Sequence, residues 1–84
     1  MAIIIFDLTS LGKAFRSERK ALGLTQADVA KKSGVRRETI IQLEAGENVS
    51  AFTLIQATAA LGKGVAIADR RLDYDTIGKE FDEI

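Results

Sequence analysis

The spacing of apolar positions changes along the 84-residue chain, and each change marks an element. Ala2-Ile3-Ile4-Ile5-Phe6 is β-branched and aromatic on both faces and is stopped by Asp7, which predicts a strand over 2–6. A loose start whose side chains pad the body is the alternative. From Thr9 or Ser10 the period lengthens, with Leu11, Ala14, Phe15, Glu18 and Leu22 three and four residues apart until Gly23. That predicts a first helix with Phe15 as its core anchor. Residues 24–43 then read as two short helices hinged at Gly34. Thr25 followed by Asp28 is the T-x-x-D form of a capping box, so the second helix opens at Thr25. Val29 and the small Ala30 face inward, and Val35 plugs the corner beyond the glycine. The third helix runs from Arg36 to Glu44, and a loop follows over 45–48. Asn48 or Ser50 caps a fourth helix, Ala51 to Leu61, with Leu54, Ile55, Thr58 and Leu61 as its inward stripe. After Gly62, Val65-Ala66-Ile67-Ala68 alternates large and small as a strand does. Glycines at 23, 34, 46 and 62, with no proline anywhere, punctuate four helices with short connections.

At about 100° per residue, the third helix puts Thr39, Ile40, Leu43 and Glu44 on one half and Arg37, Glu38, Ile41 and Gln42 on the other. The first half packs and the second is free. Its residue types suit base edges in a major groove: arginine forks onto guanine, glutamine pairs with adenine, glutamate accepts from cytosine, and isoleucine meets the thymine methyl. The plainer reading is a solvated face on an ordinary small bundle.

Gly23-Leu24-Thr25-Gln26, Val29-Ala30, Gly34-Val35, Thr39-Ile40, Leu43-Glu44 and Gly46 stand in the order of the Cro/cI-type helix-turn-helix pattern, which this chain resembles over about residues 11–62. The resemblance implies an all-α, lambda-repressor-like four-helix bundle that binds double-stranded DNA. It implies that Arg36, Arg37, Glu38 and Gln42 face the major groove, joined by Ile41 from the wheel. Gln26 would bind phosphate or a base edge, and the loop from Gly46 to Asn48 would lie along the DNA backbone. Thr25 and Lys31 or Lys32 are further candidates for phosphate. Arg19, four residues before Gly23, would pair with Glu44 in a partly buried bridge, which makes Glu44 scaffold. Members of the family often carry Ser or Thr where Arg36 stands; an arginine there gives up a helix cap, which suggests a DNA contact instead.

A strand at 65–68, where simple phage-type repressors continue with a helix, resembles antitoxins of the HipB kind. That resemblance implies that Val65, Ala66, Ile67 and Ala68 pair with their copies in a second protomer. An intersubunit sheet of this kind, with or without the strand at 2–6, would set two third helices about 34 Å apart and demand a palindromic operator. A hairpin between the two strands within one chain is the alternative.

Composition narrows the picture further. With no Cys, His or Trp, disulfides, thiol or histidine catalysis and the usual zinc sites are excluded, and no other catalytic constellation is visible, so no enzyme, cofactor or metal is expected. The apolar run from Ala2 to Phe6, even counted with Met1, is far from the roughly 20 residues of a membrane span, and no cleavable leader is visible; the expected location is cytoplasmic. Net charge is zero, yet residues 1–71 carry eleven basic against seven acidic residues, a balance of +4, and residues 72–84 carry −4. The reading is therefore one domain over 1–71 and an acidic tail over 72–84 in which Leu72, Tyr74, Ile77, Phe81 and Ile84 are interspersed. The tail would dock on its own body, stay disordered, or grip a toxin protein. A dimeric autorepressor, the antitoxin of a toxin–antitoxin pair, is the leading expectation. A stand-alone or phage-type repressor, or a toxin-neutralising module whose DNA binding is secondary, are the others.

Overall fold

Asp7, expected to stop a strand, instead starts the first helix. In the structure, a computed structural model that describes residues 4–70, Asp7 has extended backbone and its Oδ1 accepts from the Ser10 amide at 2.6 Å. Helix α1 (Leu8–Ala21) therefore begins a residue or two earlier than the apolar period suggests, with Arg19 and Lys20 in its last turn, where the negative end of the helix dipole favours them. Its hydrogen-bonded caps hold Asp7 below the ordinary carboxylate range, chiefly through the Ser10 amide.

Helix α2 (Gln26–Ser33) has the full capping box: the Asp28 amide donates to the Thr25 hydroxyl at 3.0 Å, and the Thr25 amide donates to Asp28 Oδ2 at 2.8 Å. Gly34 ends it at φ 76°, a left-handed conformation that a side chain resists. The chain then turns within two residues into α3 (Arg37–Glu44), with Arg36 as its N-cap, and Ser50 caps α4 (Ala51–Ala60) by accepting from the Thr53 amide at 3.0 Å.

Phe15, Val29, Ile40, Leu43, Ala57 and Leu61 form one core, to which all four helices contribute. Two expected core positions differ. Leu22 is half exposed beyond the end of α1, and on α4 the inward stripe is Leu54, Ala57, Thr58 and Leu61, leaving Ile55 outside. Helix α4 has no charged residue, so its apolar pattern cannot fix which way it is turned; packing does.

Among the described residues there is no strand. Residues 4–6 and 63–69 run without regular structure, and the expected strands at 2–6 and 65–68 are corrected to that extent; Ala2, Ile3 and the tail from Leu72 lie outside the described residues. The two segments do come together: the Arg70 guanidinium stands 4.5 Å from the centre of the Phe6 ring, and both border a groove of about 780 Å³ floored by Leu11, Phe15, Leu54 and Leu61. No ladder joins their described residues, so no intrachain hairpin is formed among them. A strand exists only by pairing, and Val65 and Ile67 keep their side chains exposed, Ile67 entirely.

Candidate nucleic-acid interface

Helix α3 is held at both ends, along its length and from beneath. At its start, the Ser33 hydroxyl donates to the Ala30 carbonyl at 3.4 Å and accepts from the Val35 amide at 3.1 Å, which closes the corner between α2 and α3. Along its length, Ile40 and Leu43 are fully buried. Beneath it, Gly12 of α1 lies so close that a Cβ there would stand 2.6 Å from the carbonyl oxygens of Leu43 and Glu44. Nothing local in the sequence signals that Gly12 is a crossing point.

At its end, Glu44 is gripped by Arg19. Arg19 Nε donates to Glu44 Oε2 at 2.6 Å and Nη2 to Oε1 at 2.9 Å, while Nη1 reaches the Leu24 carbonyl at 2.8 Å. Both side chains are at most one-tenth exposed. The hydrogen bonds to Glu44 raise the Arg19 pKa further above its already high value. Such a fork is worth little against a well-packed apolar pair, but removing one partner would leave a buried charge at a cost of about 3–5 kcal/mol. Gln26 joins the pair, its Nε2 3.2 Å from Glu44 Oε1.

What remains outward on α3 is Arg37, Glu38, Ile41 and Gln42, all exposed, with Ile41 at 42%. Arg36 is exposed at the N-cap and its side chain makes no capping hydrogen bond, although its carbonyl accepts from the Thr39 and Ile40 amides. Lys31 and Lys32 are exposed in the last turn of α2. The Thr25 hydroxyl accepts from the Asp28 amide within the capping box, and Thr25 is exposed at the start of α2. Gly46, at φ 82°, is half buried against Thr9, and Asn48 is exposed beyond it. Val65, Ala66, Ile67 and Ala68 belong elsewhere: the groove they border includes no residue of α2 or α3.

Helix α3 thus has one face locked and one face of arginine, glutamate, isoleucine and glutamine exposed, and α2 precedes it across a glycine corner, the arrangement of a helix-turn-helix domain. The chain belongs to the helix-turn-helix family of DNA-binding transcription regulators, whose model matches residues 15–67. Among curated proteins, an uncharacterized HTH-type transcriptional regulator of Methanothermobacter thermautotrophicus is 47% identical over 49 residues, 57% of this chain and 71% of its own. Among solved structures, the restriction-modification controller protein C.AhdI from Aeromonas hydrophila is 33% identical, with a TM-score of 0.64 over 67% of this chain and 86% of its own. A HipB variant in an O2 20mer complex is 28% identical, with a TM-score of 0.78 over 84% of this chain and all of its own. HipB in a complex with HipA, O2 and O3 gives 27% and 0.77 over 83% of this chain and again all of its own. Among the described residues no three His, Cys, Asp or Glu side chains gather as a metal site, and no helix is long and apolar enough to cross a membrane.

Proposed function

We propose that this chain is a sequence-specific, homodimeric operator-binding repressor of its own promoter and the antitoxin of a toxin–antitoxin pair. The observation that carries the reading is the outward edge of α3: Arg37, Glu38, Ile41 and Gln42 take no part in the core, yet they combine the donors, acceptors and apolar surface that tell base pairs apart. Arg36 adds a cation where a cap would otherwise sit. Thr25, Gln26, Lys31, Lys32 and the turn from Gly46 to Asn48 position the domain on phosphates. The basic balance of residues 1–71 collects those phosphates despite the neutral total.

Dimerisation follows from the exposed segment around Val65 and Ile67, which pairs with its copy and covers side chains that a lone chain leaves in water. The likeness to HipB in its complexes with O2 and with HipA supports both the DNA and the toxin partner, and it extends over more of this chain than the likeness to C.AhdI. The higher identity to C.AhdI favours a second reading, a stand-alone controller without a toxin. The acidic tail from Leu72 is where the two readings part, since a toxin would be gripped there. On this reading the chain acts by binding DNA in the cytoplasm and not as an enzyme, a reading supported by its membership of a family of DNA-binding transcription regulators.

Selection of bound fragments from random DNA tests the reading. The expected product is an inverted repeat with half-sites about 34 Å apart. A protein that enriches no sequence at low ionic strength is not a repressor of this kind. Deleting residues 72–84 should abolish toxin capture and spare operator binding; loss of both, or of neither, overturns the antitoxin role.

A further inference from the structure

Glu44 and Gln26 meet in a way that the packing of the fold does not require. Glu44 is already neutralised by Arg19 through both of its oxygens, and Arg19 is further satisfied by the Leu24 carbonyl. The added contact from Gln26 Nε2 to Glu44 Oε1 therefore does little for the charge pair. It does fix the amide. A carboxylate can only accept, so Gln26 must turn its NH2 group, and not its oxygen, toward Glu44. One N–H is used; the second N–H and the carbonyl oxygen have no partner among the described residues. Gln26 is half buried at the first position of α2, so these two groups look out from a side chain whose rotation is already restricted.

Glu44 lies three residues after Ile41, which makes the two neighbours along the α3 surface. Gln26 therefore borders the exposed edge at the C-terminal end of α3. We propose that Glu44 is a positioning residue: anchored by Arg19, it holds the Gln26 amide in one orientation so that a donor and an acceptor stand ready for DNA beside the edge that α3 presents. This rests on the operator-binding reading above. It gives the buried pair a second task, because the fork that fastens α1 to α3 also sets a side chain on α2. The gain lies in preorganisation, since a long flexible side chain need not be ordered when DNA arrives. A phosphate oxygen would take the N–H alone, whereas an adenine edge would take both groups.

A double-mutant cycle of Gln26→Met and Glu44→Gln tests it, with affinity for the selected operator and for random DNA measured well below the melting temperature, and with the side-chain amide signals of free protein followed by NMR. Gln26→Met leaves the Arg19–Glu44 fork intact. It should lower operator affinity about tenfold with little change in melting temperature. A parallel loss on random DNA identifies phosphate, and a loss confined to one base position identifies a base. Glu44→Gln should weaken operator binding in the wild-type background and add nothing in the Gln26→Met background, and it should move the Gln26 amide signals to the positions of a free side chain. If Glu44→Gln does not fold, Glu44→Asp replaces it, since it keeps the charge and withdraws the oxygens. Equal losses in both backgrounds make Glu44 scaffold only and overturn the proposal. Wild-type affinity in Gln26→Met overturns it too, with operator reading intact. A wild-type protein without sequence preference removes both.

Discussion

The backbone of Gly12 lies directly against the last turn of α3, where a methyl group would stand 2.6 Å from the carbonyl oxygen of Glu44. Carbonyls at a helix end cannot withdraw without moving the helix. Gly12→Ala should therefore pry α1 from α3 and cost about 1–3 kcal/mol or more by overpacking, despite alanine's better helix propensity. Chemical denaturation reads this directly. An unchanged or raised midpoint would show that the crossing is looser than described.

The capping box gives α2 a pH signature. Asp28 is held below its ordinary value of 3.8, first by the Thr25 amide and then by the Thr25 hydroxyl. A carboxyl with a lowered folded-state pKa stabilises fully above its unfolded value, and that contribution is lost as pH falls through the lower folded value. Melting temperature should accordingly hold above about pH 5 and fall below pH 3.8, with Asp7 acting in the same direction. Asp28→Asn should flatten part of that fall, and a profile identical to wild type would remove Asp28 from the account.

Arg36 stands where a cap would stabilise α3 but makes no such bond. Arg36→Ser should raise stability by about 0.5–2 kcal/mol and weaken operator binding. Thermal melts and titrations on the same preparation give both signs. Tighter folding with unchanged affinity would free Arg36 of any role on DNA.

The two kinds of DNA contact should separate by mutation. Arg37→Ala should relax specificity at one base position and cost about 1–3 kcal/mol there, whereas Lys32→Ala should weaken all sequences alike and lower the salt slope by about one. Binding isotherms on operator and random DNA at several salt concentrations distinguish them. Equal behaviour of the two variants would contradict the division of roles.

Much of the fold was legible because its signals are local. The Thr25 and Asp28 box, the left-handed turn at Gly34 and the packed and free halves of α3 each follow from residues within one or two turns of one another. The start of α1 was misplaced because the apolar run before Asp7 outweighed a single cap. On α4 Leu54, Thr58 and Leu61 face inward as expected but Ile55 does not, because a helix without charged residues offers little to orient it, and the small Ala57 takes the buried place. Gly12 and the Gln26–Glu44 contact were out of reach, being made by residues far apart in sequence. Residues 65–68 carry a strand's pattern without a strand, because alternation states a capacity and only a neighbour realises it.

Arg37, Glu38, Ile41 and Gln42 are exposed and lie outside the core, so this edge can be rewritten while the scaffold beneath stays as it is. Substitutions at 37, 38, 41 and 42 meet few stability constraints. On the operator-binding reading proposed above, relatives that share this core are free to diverge in the sequences they recognise, one position at a time, through intermediates that still fold.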